Sequence, residues 1–221
     1  PRPAASAPAS AGPRAARPLT LRPMPAAFRP EVVAIGSSTG GPQALFDMLG
    51  GLGGPIDRPI LITQHMPATF TAILAQHLSR HCRVDATEAA DGEAVVPGRI
   101  YVAPGDWHMT VAGSGSGLRI KLEQTPPENF CRPSVDPMLR SLVQACGGRV
   151  LTVMLTGMGH DGLDGCRAVA EAGGAMIAQD EATSVVWGMP GAVAQAGLAS
   201  AILPIAEIGP AVRRALSRAA A

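Results

Sequence analysis

From Glu31 onward, short apolar runs alternate with amphipathic stretches along the chain. Five of the runs read as strands: Val32–Gly36, Pro59–Thr63, Leu151–Thr156, Ala175–Gln179 and Ala201–Pro204. They are nearly continuous in apolar character instead of alternating, which is the pattern of strands buried on both faces. The stretches Pro42–Leu49, Thr69–Cys82, Val135–Cys146, Gly162–Ala172, Gly191–Ala196 and Ile208–Ala219 place apolar residues at helical spacing. Apolar strands alternating with helices indicate an α/β fold with a parallel sheet covered on both sides. Residues 83–124 break this rhythm. There Arg99–Ala103, His108–Ala112 and Leu118–Glu123 are separated by Pro-Gly and Gly/Ser turns, and are expected to form antiparallel hairpins added to the edge of the sheet.

The first thirty residues lack any such pattern. They hold eight Pro and five Arg but neither Asp nor Glu, a composition that buries too little apolar surface to offset chain entropy. Residues 1–30 are therefore expected to be a disordered, semi-extended linker, and residues 31–221 the folded domain. Composition alone fits a tether from a preceding domain and a stand-alone tail equally well.

Separating the two parts changes the charge. The 221 residues carry 18 basic and 17 acidic side chains, a net charge of +1, but residues 31–221 hold 13 basic against 17 acidic, or −4. The folded part has no basic excess of the kind that binds nucleic acid. With 47% hydrophobic residues the chain is neither disordered nor a coiled coil, and its length suits one domain burying about 70% of the surface its unfolded chain exposes. The cysteines Cys82, Cys131, Cys146 and Cys166 form no CxxC or metal-ligand pattern, and read as small buried hydrophobes in a reducing compartment. There is no uninterrupted run of about 18 apolar residues, and no apolar segment of a signal peptide at the start. A soluble, cytoplasmic protein without membrane insertion is expected.

Three segments carry candidate chemistry. Val32–Gly41 runs from an apolar strand into Gly36-Ser37-Ser38-Thr39-Gly40, which fits the G-x-S-x-G turn that pushes a central serine, Ser38, out of a strand-to-helix bend. The following helix terminus offers free N–H groups for an oxyanion. The same glycines also suit a phosphate-binding turn, although GK[ST] and G-x-G-x-x-G are missing. The second segment, Ile60-Leu-Ile-Thr-Gln-His65-Met-Pro, ends a buried strand with a histidine, the side chain suited to proton transfer near neutral pH. The third, Val150–Gly162, ends a strand in a glycine turn that presents Asp161 where the next helix begins. Asp161 reads both as a helix N-cap and as the acid that orients a catalytic histidine. All three residues follow predicted parallel strands, so a Ser-His-Asp relay at the carboxyl ends of the sheet is geometrically sound. Their order differs from the Ser, Asp, His of α/β-hydrolases.

The remaining candidates are weaker. His77 and His81 lie four apart on a helix without the Glu of HExxH, so they read as a solvated face. His108 opens a hairpin strand, and His160 lies beside Asp161; a metal held by His65, His160 and Asp161 is a minority reading. Arg132-Pro-Ser-Val-Asp136 reads as a loop ending in an N-cap, Ser134, with an arginine that faces an anionic surface or pairs with a carboxylate.

Taken in order, IGSSTGG, ITQHMP, DGE at 91–93, PGRIYVAPGDWHM, RPSVD, LTGMGHDG and WGMPGA resemble the catalytic domain of the bacterial chemotaxis protein-glutamate methylesterases, the CheB family. The resemblance covers nearly all of the folded part. It implies a doubly wound α/β fold with an added β-hairpin, a nucleophile at Ser38, a histidine at His65, an aspartate at Asp161, and no cofactor or metal. It also implies hydrolysis of glutamyl methyl esters on cytoplasmic chemoreceptor helices, with deamidation of glutamines in many members, and an N-terminal receiver domain served by a histidine kinase. Residues 1–30 would then join the receiver to the esterase. Ser37 and His160 stand where the family commonly has Ala and often has Asn. The backbone N–H groups of Thr39 and Met158, each in a glycine-flanked turn, are the expected oxyanion donors. The rival from another class is a non-catalytic nucleotide- or phosphate-binding module built on the Gly40-Gly41 turn and the helix dipole.

Overall fold

The alternation of side chains along β1 (Val32–Ser37) decides how the molecule is layered. Val32 and Ala34 pack into one core cluster and Val33 and Ile35 into another, all at or near zero exposure. The same split recurs on β7 (Val150–Met154), where Val150 and Met154 face the first cluster and Leu151 and Val153 the second. Successive strand residues point to opposite faces, so both faces of the central strands are buried. Each fully buried aliphatic side chain there contributes about 1.5–3 kcal/mol.

The computed structural model describes residues 19–54 and 56–217, so the first eighteen residues of the expected linker and the last four of the expected domain lie outside the described residues. The remaining elements are α1 (Gly41–Gly50), β2 (Ile60–Gln64), α2 (Ala68–Cys82), β3 (Asp85–Glu88), β4 (Arg99–Val102), β5 (His108–Ala112), β6 (Arg119–Glu123), α3 (Val135–Cys146), α4 (Leu163–Glu171), β8 (Ala175–Gln179), α5 (Met189–Gln195), β9 (Ala201–Leu203) and α6 (Ile205–Ser217). The five expected strands are β1, β2, β7, β8 and β9, with ends displaced by at most two residues. They join a seven-stranded sheet of order β3-β4-β2-β1-β7-β8-β9, all of whose neighbours pair in parallel. Residues of α3, α4 and α5 belong to the first core cluster, and those of α1, α2 and α6 to the second. The fold is doubly wound. The chain moves outward from β1 through β2 on one side and restarts at β7 on the other, so the switch point lies between β1 and β7.

Three expectations need correction. Arg99–Ala103 is not part of a hairpin; it supplies β4, a parallel strand between β2 and β3 with Ile100 opposite Ile60. The polar edge strand β3 gave no apolar signal. The antiparallel hairpin is β5–β6 alone, a separate two-stranded sheet. It packs on α3 instead of extending the sheet: Met109, Val111 and Ile120 share a buried cluster with Met138 and Leu142, and Val111 N donates to Ser141 Oγ at 3.0 Å. Finally, residues 19–30, though mostly exposed, are anchored to the domain at several points. Phe28 is buried, Met24 lies against the core, and Arg22 N donates to Ala199 O at 2.9 Å. Composition averaged over thirty residues hides these anchors.

Candidate active site

The end of β1 is held to both of its neighbours. Ser38 N donates to Thr156 O beyond β7 at 3.0 Å, and His65 N donates to Ser37 O at 3.0 Å. Ser37 and Gln64 face each other as the last register pair of β1 and β2, so Ser38 and His65 are the next residues on adjacent strand ends. Gln64, almost fully buried, locks this junction: its Oε1 accepts the Ser37 hydroxyl at 2.7 Å, and its Nε2 donates to Ser38 O at 2.9 Å and His65 O at 3.0 Å. Gly40 takes a φ of 80°, a left-handed conformation that glycine adopts at least cost, and α1 follows with Pro42 in its first turn. Ser38 is partly buried, and among the described residues its hydroxyl makes no hydrogen bond to another protein group.

Asp161 is the opposite case. Its carboxylate is 2% exposed and accepts four hydrogen bonds: from His65 Nε2 at 2.6 Å and Val135 N at 2.7 Å on Oδ2, and from Ser134 Oγ at 2.6 Å and Asn129 Nδ2 at 2.9 Å on Oδ1. Burial by itself raises the carboxyl pKa, but the bonds from His65, Ser134 and the Val135 N–H outweigh it and hold Asp161 below its ordinary value. A carboxylate surrounded by donors requires the proton on His65 Nε2. The Nδ1 lone pair is then the proton acceptor, and it lies 3.4 Å from Cys131 Sγ. Burial, reinforced by the Asp161 charge, pushes the Cys131 thiol up, so its S–H points a weak donor at that lone pair. No hydrogen bond joins Ser38 Oγ to His65; such contacts are often long before substrate is bound.

Asp161 does not cap the helix that follows it. Gly162 is the N-cap of α4, and Asp161 instead accepts the first N–H of α3 from across the site. Ser134 is the N-cap residue of α3 as expected, yet its hydroxyl bonds Asp161 and not its own helix. His108, fully buried, accepts the Ser134 N–H on Nδ1 at 3.2 Å, and its Nε2 donates to Pro126 O at 3.1 Å, so it braces the loop that bears Ser134. Thr39 and Met158 are both exposed, and among the described residues neither N–H donates to another protein group, whereas those of Ser38 and Gly157 are committed to Thr156 O and Val186 O.

The other candidates lie apart from this cluster or serve it indirectly. His160 is exposed, and His77 and His81 share an exposed stretch of α2 with their rings 5.9 Å apart. Arg132 pairs with Asp106 at 2.6 Å, so of its two expected roles the carboxylate partner is the one seen. Of the cysteines expected to be buried, Cys146 and Cys166 are, whereas Cys82 and Cys131 are only partly covered. Gln64, Asn129 and Cys131 were not singled out for roles at the site. Gln64 had a signal in its place between a buried strand and His65; Asn129 had none, because it lies in an aperiodic Pro-rich loop.

The Ser38 turn, His65 and the buried Asp161 all lie beyond the carboxyl ends of strands in a doubly wound sheet, the edge at which such α/β folds place their sites. Residues 33–212 match the family model described as CheB methylesterase, and the chain belongs to that family. It is 64% identical over 87% of its length to a protein-glutamate methylesterase/protein-glutamine glutaminase of Azospirillum brasilense, covering 49% of that protein. A group 2 operon protein of the same description from Rhodospirillum centenum is 62% identical over 90% of this chain and 50% of its own length. The chain thus spans about half the length of the curated relatives it matches. The crystal structure of the Thermotoga maritima CheB methylesterase catalytic domain superposes with a TM-score of 0.81 at 37% identity, covering 85% of this chain and 99% of that one.

Proposed function

We propose that this chain hydrolyses glutamyl γ-methyl esters in proteins by acyl transfer through Ser38. The observation that carries the reading is the 2.6 Å bond between His65 Nε2 and the buried Asp161, which leaves Nδ1 as a base on the strand end next to Ser38. His65 Nδ1 takes the Ser38 proton as Oγ bonds the γ-carbonyl carbon, and Asp161 holds the ring and stabilises its cation. The tetrahedral oxyanion is received by the N–H groups of Thr39 and Met158. It collapses with loss of methanol, the methoxy oxygen taking the proton from His65. Water then gives a proton to His65 and attacks the acyl carbon, and Ser38 leaves reprotonated. With an amide in place of the ester the same steps release ammonia, which is the glutaminase activity in the relatives' names. The reaction draws on no cofactor or metal.

The substrate is a glutamyl side chain on cytoplasmic chemoreceptor helices, and the site works in the cytoplasm under a receiver domain and its histidine kinase, with no part for nucleic acid or membrane insertion. Among the described residues no helix is long and apolar enough to cross a membrane. The phosphate-binding alternative accounts for the Gly40-Gly41 turn alone and leaves the His65–Asp161 pair without a purpose. Methanol release from methylated receptor membranes should vanish in Ser38→Ala; undiminished release refutes the assignment. A fluorophosphonate should modify Ser38 alone, and replacement of His65 should prevent the labelling. Saturable nucleotide binding without labelling would instead establish the rival.

A further inference from the structure

A second carboxylate lies behind the first, and the mechanism makes no use of it. Asp136, in the first turn of α3, is 3% exposed. Its Oδ1 accepts Gly165 N of α4 at 2.6 Å and its Oδ2 accepts Asn129 Nδ2 at 2.8 Å. The two helices therefore exchange caps. Asp161, two residues before α4, takes the first N–H of α3, while Asp136 of α3 takes an N–H from the first turn of α4. Each carboxylate lies at the positive end of the other's helix, where an anion is favoured. Asn129 spans the gap, its single amide nitrogen giving one proton to each acid. It holds a left-handed φ of 51° to do so, on a tight turn closed by the Glu128–Cys131 bridge. That turn is tied to α3 by a two-oxygen contact of Glu128 with Arg140, at 2.6 and 2.8 Å.

We infer that Asn129 and Asp136 are positioning residues for Asp161, fixing its carboxylate against His65 and setting the field in which the imidazolium forms. The inference rests on the proposed role of Asp161. The oxygens of Asp136 face donors, which calls for the ionised form. Burial, the largest influence, and the Asp161 charge leave its carboxyl pKa above the ordinary value, while the Gly165 N–H and Asn129 pull it part of the way back. The charged and titratable groups around it are Asp161 from the loop after β7, Arg140 one turn along α3, and Asp164 and the buried thiol Cys166 on α4.

The two residues act on His65 in opposite senses. Removing the Asn129 amide strips a donor from Asp161 and from Asp136, so both carboxylates hold protons more strongly and the imidazolium is better stabilised. Neutralising Asp136 removes a buried negative charge and weakens that stabilisation. The test uses Asn129→Gly, which keeps the left-handed backbone at least cost, and Asp136→Asn. His65 is titrated through its ring protons by NMR, alongside the pH dependence of Ser38 labelling by a fluorophosphonate. The midpoint should rise in N129G and fall in D136N, each by about half a pH unit or more. A folded N129G whose midpoint stays put overturns the inference, as do shifts of the same sign in both variants. If D136N fails to fold, N129G decides alone, since its turn lies outside every helix and strand. A wild-type chain that never labels at Ser38 would strike the hydrolase reading instead, and the NMR titration would still report on Asn129.

Discussion

Ser38 and Asp161 follow neighbouring strands, yet they are held in opposite ways. The Ser38 hydroxyl has no protein partner among the described residues, and the chain around it is fixed through backbone groups and Gln64. Asp161 is buried and receives four donors. The difference fits the roles proposed for the two residues. A nucleophile must stay free to turn toward a carbonyl and to exchange its proton, whereas an orienting carboxylate is useful only when immobile. A buried charge also costs several kcal/mol unless hydrogen bonds offset its lost hydration, so the same four donors that aim Asp161 make its burial tolerable.

The largest effect should come from breaking the free side of this pair. Ser38→Ala should remove ester hydrolysis by about 10⁶-fold, the loss typical of a nucleophile. Its melting temperature should be that of the wild type, because the lost hydroxyl bonds no protein group among the described residues. Asp161→Asn should fall short on rate, by about 10⁴-fold, but should also destabilise the fold by about 1–3 kcal/mol, since an amide nitrogen would meet a shell of donors. Rate and thermal denaturation measured on both variants check the contrast; equal destabilisation by the two would dissolve it.

Gly157 tests whether the backbone frame sets the position of Ser38. A Cβ there would lie 2.8 Å from Ser38 Cβ and against Met189 Sδ, while the chain is pinned by Gly157 N to Val186 O and by Met189 N to Gly157 O. Gly157→Ala should cost about 10²-fold in rate through displacement of the nucleophile. The His65–Asp161 contact, followed by the downfield ring N–H signal in NMR, should persist.

The same asymmetry explains what could be read from the sequence. Ser38 and His65 directly follow apolar strands and Asp161 ends the glycine turn beyond a third, and such placement is a local signal that survives without coordinates. The parallel core was legible for the same reason, since β1, β2, β7 and β8 are continuous apolar runs. The shell around Asp161 left no such trace. Asn129 and Asp136 reach it from 32 and, through Asn129, from 25 residues away in the chain, by contacts that no periodicity encodes. Ser134 was legible as a helix start but not in the direction of its hydroxyl, because a helix cap looks the same from the sequence whether it serves its own helix or another residue. The edge strand β3, Asp-Ala-Thr-Glu, was missed because one half-exposed strand at a sheet margin needs no apolar run.

The smallest effect is expected in acid, and it probes the held side alone. The folded-state pKa of Asp161 lies below its ordinary value, so its bonds contribute stability that is fully present above the unfolded aspartate pKa of about 3.9 and is lost as pH falls through the lower folded value. Ser134→Ala removes the 2.6 Å donor on Oδ1 while leaving His65 and the Val135 N–H on Oδ2. The folded pKa then moves up toward the unfolded one, and the acid-unfolding midpoint, followed by circular dichroism, should shift to higher pH by a few tenths of a unit. Above pH 5 the variant should be less stable by about 1–2 kcal/mol. Ser38→Ala should leave the acid midpoint where it is, because among the described residues its hydroxyl hydrogen-bonds no titrating group; an equal shift in that variant would mean that the strand ends melt together and that Asp161 is not held independently of Ser38.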